Sequence, residues 1–425
     1  MLSFQQRKEL LAHCTAQNAP SSFYRKHYRL SVNTPDFIPA TEQEWQQLPI
    51  VTKGNLSAST LEKRSFLPLN TLDHMRASSG TSGKAPLFSP RTHVRNMDYR
   101  LAYFDFSAPF LAFGVPMMPH WHEQFQTEHG GDPRVISYDP RYPEMSARLA
   151  ATVGVEGVSL FAYHVRAAGD ALRAVGIAER IRFLEVTGEV CSRALYEYMR
   201  GTFPNATIVQ SYGASEVEDV HIGMPCRPMT GEEPLALYHP KSTHFLEIID
   251  PVTERVVPME AGVEGDLLIT AYPGEPAAFP LIRFRIGDTI RIVESDCSHK
   301  DIAFTVLGRT ELDFLKLEGG ILRADEVERV LRTMPDLMTD EFELHRYERR
   351  TPHGPRTYID LKVRVRPGAR LPEDIGNSVA TRLRVGPAQT YSDGVAAGRY
   401  LPLTCTELID EPSSRKRQRL ISHTD

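Results

Sequence analysis

Three groups of residues have the types and spacing to do chemistry. Residues 78–86 read Ser-Ser-Gly-Thr-Ser-Gly-Lys-Ala-Pro. Gly80 and Gly83 let the backbone come close to an anion, and Ser78, Ser79, Thr81 and Ser82 set hydroxyl donors beside the ammonium of Lys84. The second glycine follows too soon for a P-loop, and Ala85 follows the lysine where that pattern needs Ser or Thr. Alone, the segment reads equally as a surface loop. The second group is Ser-Tyr-Gly-Ala-Ser-Glu at 211–216, directly after the apolar run Thr-Ile-Val-Gln. It gathers Tyr212, Gly213, Ser215 and Glu216 where ligands sit in α/β sheets, beyond a strand's carboxyl end. Gly188 and Glu189 follow a similar run, Phe-Leu-Glu-Val, Asp288 ends Arg-Phe-Arg-Ile-Gly-Asp, and Arg309 follows Gly308. The third group is Cys226, His239, Cys297 and His299. Thiolates and imidazoles in a Cys₂His₂ set suit structural Zn²⁺, with His244 as an alternative ligand, while the plain alternative is two unrelated cysteines with nearby histidines. His120, His122 and His129 are loop histidines without a convergent thiolate or carboxylate and read as non-ligands.

These residues need elements to position them. The first 75 residues read as helical, with loops marked by Asn18 to Ser22 and Thr34 to Pro39. From about 92 to 230, apolar runs such as Val-Glu-Gly-Val-Ser-Leu-Phe alternate with helical patterns such as Ser-Arg-Ala-Leu-Tyr-Glu-Tyr-Met, which predicts a parallel sheet covered on both faces. Short strands punctuated by Gly, Pro and Asp between 235 and 308 predict a β-rich subdomain. Beyond it, 323–334 predicts an amphipathic helix, 342–365 two alternating strands, and 373–385 a second helix. The expected fold class is α/β: a large N-terminal domain over 1–307 with a β-rich part, then a small mobile α+β C-terminal domain over 308–425, hinged near 308–313.

The 425 residues are 41% apolar and 24% charged with a net charge of −5, which excludes a disordered chain and any global basic field for nucleic acid or membranes. The basic run Arg-Lys-Arg-Gln-Arg at 415–419 reads by charge alone as a solvated tail. Five widely spread cysteines, no signal peptide and no apolar run of roughly 18–20 residues predict a soluble cytoplasmic protein. A Gly-x-Ser-x-Gly elbow is missing, so a serine-hydrolase reading has no support.

In order and spacing, the motifs resemble the adenylate-forming superfamily of acyl-CoA synthetases and adenylation domains, most of all its phenylacetate-CoA ligase branch. Leu-Pro-Ile-Val-Thr-Lys-Gly-Asn-Leu at 48–56 is similar to that branch's Leu-Pro…Lys-x-x-Leu segment, 78–86 to its phosphate loop and 211–216 to its adenine and magnesium turn. Residues 265–270 with 280–288 resemble its ribose-binding strand, 308–320 its hinge, and 415–422 its terminal lysine segment. The resemblance implies ATP-dependent activation of a carboxylic acid, with an aromatic acid expected. An acyl-adenylate forms with release of pyrophosphate, and coenzyme A then takes the acyl group. It implies Thr81, Ser82 and Lys84 at the phosphates, with Ser79, Gly80 and Gly83 in the same loop. Glu216 would bind Mg²⁺, a hard cation suited to carboxylate and phosphate oxygens. Gly188, Glu189, Tyr212, Gly213 and Ser215 would frame adenine, Asp288 would take both ribose hydroxyls, and Arg309 would contact ribose or phosphate. Lys416 would be the catalytic lysine bridging carboxylate and α-phosphate. Some members of the branch look similar around the Cys/His set as well.

Two departures are specific to this chain. Leu312 stands at the usual hinge Asp or Lys, before a preserved Asp313, and Glu318-Gly319 replaces Arg-Gly. An acidic side chain near the path of an anionic cofactor disfavours coenzyme A, so an acyl carrier protein or an amine is the alternative acceptor. A non-catalytic nucleotide-binding scaffold would have had no reason to keep Thr81, Lys84, Glu216, Asp288 and Lys416 together. The family also implies a homodimer.

Overall fold

Local side-chain chemistry starts the first helices. Helix α1 (Phe4–Thr15) opens on a capping box, Ser3 Oγ accepting from Gln6 N–H and Gln6 Oε1 from Ser3 N–H. Helix α2 (Lys53–Ser57) opens the same way on Thr52 and Asn55. The computed structural model describes residues 1–425 apart from 31–37, 73, 78–87, 92–102, 105–107, 114–134, 219–220, 252, 273–276, 298–301, 310–313, 318–319, 352–353, 387–388, 410–418 and 424–425. Where helices broken by loops at 18–22 and 34–39 were expected before residue 75, the described residues form α1, α2 and further short turns of helix at Phe23–His27, Glu42–Gln46 and Leu61–Arg64, followed by strand His74–Ala77. Prolines at 20, 39, 49 and 68 limit those turns, since each removes a backbone donor and clashes with the preceding turn.

A five-stranded parallel sheet follows, in spatial order β2-β1-β3-β4-β5: β1 Phe110–Phe113, β2 Val135–Tyr138, β3 Gly157–Phe161, β4 Phe183–Thr187 and β5 Thr207–Gln210. Parallel neighbours need long crossovers. Here α3 (Pro143–Val153), α4 (Val165–Ala174) and α5 (Arg193–Thr202) lie in the connections from β2 to β5. Strands β3 and β4 are buried over their first four residues, which explains why they read as apolar runs rather than as alternating patterns.

An eight-stranded sheet carries the next part of the chain, in order β10-β9-β11-β12-β13-β8-β7-β6. Its strands are β6 Tyr212–Gly213, β7 His221–Pro225, β8 Tyr238–Pro240, β9 His244–Ile249, β10 Val256–Val257, β11 Glu264–Ala271, β12 Leu281–Val293 and β13 Ala303–Arg309. The N-terminal segment packs on this sheet: Leu10, Leu11, Trp45, Val51 and Leu56 share one core with Tyr212, Ile269, Ile282 and Phe284.

Strand β12 pairs irregularly with β11. Between the pairs Asp266–Thr289 and Leu268–Arg285, one residue of β11 faces three of β12, and Gly287 lies there at φ +89°. A second irregularity between Ile269–Phe284 and Ala271–Leu281 contains Arg283 at φ +45°. Bulges re-aim side chains, and these two aim Asp288 and Arg283. Arg283 turns inward, donating from Nε to Glu247 Oε2 (3.1 Å) and from Nη1 to the carbonyls of Gln46 (2.7 Å) and Leu48. Trp45 Nε1 donates to the same carboxylate oxygen (3.2 Å).

The described chain forms two compact units, Met1–Cys191 with Met199–Val306, and Ser192–Tyr198 with Leu307–Asp425. In the second, the hairpin β14 (Met338–Thr351) and β15 (Gly354–Val365) is flanked by parallel additions of β16 (Thr404–Glu407) and β17 (Leu420–Ser422). Helix α6 (Ala324–Leu331) buries Val327, Val330 and Leu331 in a core with Phe342, Leu344, Ile359 and Leu361. The second expected helix is shorter than its pattern. Only Ile375–Ala380 is helical, and Arg384–Gly386 is a strand, because buried Leu383 and Val385 alternate with exposed Arg384. The molecule is thus a mixed α/β fold, and its sheets are open.

Candidate functional site

The turn beyond β4 is built around a glycine. Gly188 has φ +87°, and a Cβ there would lie 2.4 Å from Cδ1 of Phe161, the last residue of β3. Both the dihedral and the contact require the missing side chain. Gln210 Nε2 at the end of β5 donates to the Glu189 carbonyl (2.5 Å), and Ser211 N–H donates to Val186 O (2.9 Å). The carboxyl ends of β3, β4 and β5 are thereby tied together. Tyr163 stacks on Phe161 at 5.5 Å and 10°, and burial beside the Glu189 charge pushes its phenol up to about 12.

Tyr212 opens β6. Its hydroxyl donates to Asp288 Oδ2 (2.7 Å), and its ring packs on Tyr238 (5.7 Å) and Phe304 (6.0 Å). Tyr212 and Asp288 are both buried, so this charge-assisted bond fixes the carboxylate within a largely dry wall. The pair joins positions 76 residues apart in the chain, and the Gly287 bulge makes that possible.

Glu216 lies on the next turn, closed by the Val217 N–H bond to Ala214 O (3.2 Å). Its neighbour Glu218 accepts from the backbone N–H groups of Ala278 (3.0 Å) and Phe279 (3.1 Å), pinning the turn. The Glu216 side chain is only 3% exposed, and Lys53 Nζ lies 2.9 Å from its Oε1. Ser215 Oγ donates to its Oε2 (3.3 Å). The first unit therefore brings Gly188, Glu189, Tyr212, Gly213, Ser215 and Glu216 onto the segments beyond β4 and β5, and Asp288, from a bulge within β12 rather than a strand end, onto Tyr212. Arg309 closes β13 in the second unit. Ser79, Gly80, Thr81, Ser82, Gly83, Lys84, His299, Lys416, the loop histidines and the hinge positions 312–313 and 318–319 lie outside the described residues.

The Cys/His set converges in part. Cys226 follows β7, His239 is on the adjacent β8, and Cys297 lies in the connection from β12 to β13; ligand atoms of all three lie within 4.8 Å of one another. His239 Nε2 is 3.0 Å from Cys297 Sγ, while its Nδ1 faces the Ile302 carbonyl at 3.2 Å. Cys226 Sγ is 3.5 Å from Ser295 Oγ, and burial raises its thiol pKa above the ordinary value. His244 is not in this group; its Nδ1 bonds Thr243 Oγ1 at 2.9 Å.

The sequence motifs included Lys53 without giving it a task, and they left out Phe161 and Gln210. The Lys-x-x-Leu pattern was a signal for Lys53. Nothing local in the sequence marks Phe161 and Gln210, because their partners lie on neighbouring strands.

No protein-family model and no curated protein matches this chain. Solved structures do. A 2-hydroxyisobutyryl-CoA ligase, captured in the postadenylation state with 2-HIB-AMP, aligns over 99% of this chain and 88% of its own at TM-score 0.67 and 14% identity. AtGH3.15, an acyl acid amido synthetase in complex with 2,4-DB, aligns over 94% and 86% at TM-score 0.63 and 14% identity. The O-succinylbenzoate coenzyme A synthetase of Bacillus subtilis, in complex with ATP and magnesium ion, aligns over 83% and 70% at TM-score 0.54 and 14% identity. The chain has the fold of adenylate-forming enzymes, with a large domain and a smaller C-terminal one.

Proposed function

We propose that this protein is an ATP-dependent ligase that activates a small-molecule carboxylic acid as its acyl-adenylate and releases pyrophosphate. The observation that carries the reading is the set Gly188–Glu189, Tyr212–Asp288 and Glu216, gathered from turns beyond two strands and a bulge within β12, in a fold shared with enzymes solved with ATP and with an acyl-adenylate. Asp288, oriented by Tyr212, accepts the ribose hydroxyls. The Gly188 turn admits the flat base against backbone. Thr81, Ser82 and Lys84 take the phosphates, Arg309 the ribose or phosphate, and Lys416 the carboxylate and α-phosphate. Joining two anions requires neutralisation of developing charge. A buried, ionisable carboxylate such as Glu216 fits Mg²⁺, which when bound supplies that neutralisation. Residues 308–425 act as a lid domain carrying Lys416, following in sequence a domain of residues 1–307.

Coenzyme A is the first acceptor we propose and an aromatic acid the first substrate, as in a phenylacetate-CoA ligase. A carrier-protein thiol or an amine is the second acceptor, favoured by Glu318. The amido synthetase among the similar structures keeps the amine in view. The Cys226–His239–Cys297 donor set fits zinc, with His299 as the fourth ligand. The His239 imidazole is oriented through Nδ1 by the Ile302 carbonyl, as metal-bound histidines usually are. Among the described residues no helix is long and apolar enough to cross a membrane, and we propose a cytoplasmic enzyme that forms a homodimer.

Acid-dependent ATP–pyrophosphate exchange across benzoates, phenylacetates, hydroxy- and amino-aryl acids and short aliphatic acids tests the reading. Exchange with one class is expected, followed by a thioester when coenzyme A is added. Failure to bind ATP at all would remove the proposal.

A further inference from the structure

The Lys53–Glu216 pair is asymmetric. Glu216 is held in a pinned turn with its carboxylate 3% exposed, whereas the Lys53 side chain is 34% exposed on a flexible four-carbon stem. The backbone beneath Lys53 is fixed. Val51 N–H donates to Arg283 O (3.0 Å), Arg285 N–H donates to Val51 O (2.8 Å), and the Thr52 capping box starts α2 at Lys53. The ammonium is therefore delivered to Glu216 by design of the backbone, and it is the partner free to withdraw toward solvent. A buried carboxylate needs a counter-charge at every stage. Without one, Glu216 would repel an incoming polyphosphate.

We propose that Lys53 is the resident counter-ion of Glu216 and yields that place to the Mg²⁺ that accompanies the nucleotide. The proposal rests on the reading of Glu216 as the magnesium-binding carboxylate. Lys53 then permits nucleotide to approach before metal is in place, and two cations do not crowd one carboxylate once it is.

Calorimetric binding of adenosine 5′-(α,β-methylene)triphosphate, in EDTA and in saturating Mg²⁺, tests this without turnover. Lys53→Met is expected to weaken binding in EDTA by about tenfold, the scale of one charge-assisted contact, and to bind within about twofold of wild type in Mg²⁺. Lys53→Arg should bind like wild type in both conditions and verifies that the site still folds. The double variant Lys53→Met/Glu216→Gln should recover metal-free binding, because the uncompensated charge has gone. An equal loss for Lys53→Met with and without Mg²⁺ would put the ammonium on the phosphates and overturn the exchange, as would unchanged binding in EDTA. Glu216→Gln separately checks the reading beneath. Full retention of the Mg²⁺ enhancement in that variant would remove Glu216 as the metal ligand, whereas its loss combined with a normal Lys53→Met would sink only the exchange.

Discussion

Tyr212 shows how a single buried bond can fix a carboxylate of the proposed nucleotide site. Its hydroxyl holds Asp288 Oδ2 at 2.7 Å while the ring stays locked between Tyr238 and Phe304. Tyr212→Phe keeps the ring packing and removes one hydrogen bond to a charged group. We expect ATP affinity to fall by about tenfold or more, from the roughly 1.5–3 kcal/mol such bonds contribute, with pyrophosphate exchange following and acid binding unaffected. Isothermal titration with ATP and with the acid separates the two. Gly188 is constrained more tightly still. Gly188→Ala combines a left-handed φ with a contact at 2.4 Å to Phe161, so a cost of about 2–4 kcal/mol in denaturant unfolding is expected. Shrinking the ring in Gly188→Ala/Phe161→Leu should recover only the steric part.

Strand β12 is the element that decides the site. Its glycine bulge presents Asp288, and its second irregularity turns Arg283 toward Glu247. At Gly287 no atom of the described residues, its two chain neighbours aside, lies within 4 Å of an added Cβ. Gly287→Ala therefore isolates the backbone cost of φ +89°, about 1–2 kcal/mol. Gly287→Asn should cost less, because asparagine tolerates that region better. If both variants unfold like wild type, the bulge does not depend on glycine. The Arg283–Glu247 pair is an anchor for the N-terminal segment through Trp45 and the carbonyls of Gln46 and Leu48. Both side chains are buried, so Glu247→Ala should destabilise by about 3–5 kcal/mol, leaving a guanidinium without its carboxylate. Urea unfolding monitored by Trp45 fluorescence reads this loss.

For the whole molecule, pH and catalysis give the relevant tests. His164 is buried against Tyr138 and Tyr163, and desolvation lowers its pKa from 6.5 to about 4. The unfolded chain takes up that proton near 6.5 and the folded chain only near 4. Between those values the unfolded state holds more protons, so stability falls as the pH drops. This side chain accounts for about 2–3 kcal/mol lost between pH 7 and 4. His164→Gln should show a shallower decline in urea midpoint over that window; an unchanged decline would assign the acid sensitivity elsewhere. If the 308–425 domain presents Lys416 in only one state, Lys416→Ala should abolish pyrophosphate exchange while still converting supplied acyl-adenylate to product. Equal loss of both half-reactions would remove Lys416 from the adenylation step.

Much of this was legible in the chain itself. The apolar runs of β3 to β5 with helical patterns between them announced a parallel sheet, since doubly buried strands and crossover helices leave separate periodicities. The turns at 188 and 212–216 were visible because strand ends, glycines and carboxylates are neighbours in sequence, whereas Asp288, expected at a strand end, lies in a bulge within β12. The order of the motifs pointed to the adenylate-forming fold at an identity of only 14% to the solved structures. Other features needed the tertiary structure. The contraction of the 373–385 helix followed from packing of Leu383 and Val385, a tertiary effect stronger than helical pattern. The joining of Tyr212 to Asp288, Lys53 to Glu216, Gly188 to Phe161 and Cys226 to His239 and Cys297 depended on sheet order and bulge register. A sequence fixes which side chains alternate along a strand, but which strand lies beside it is settled only when the whole chain buries its apolar faces together.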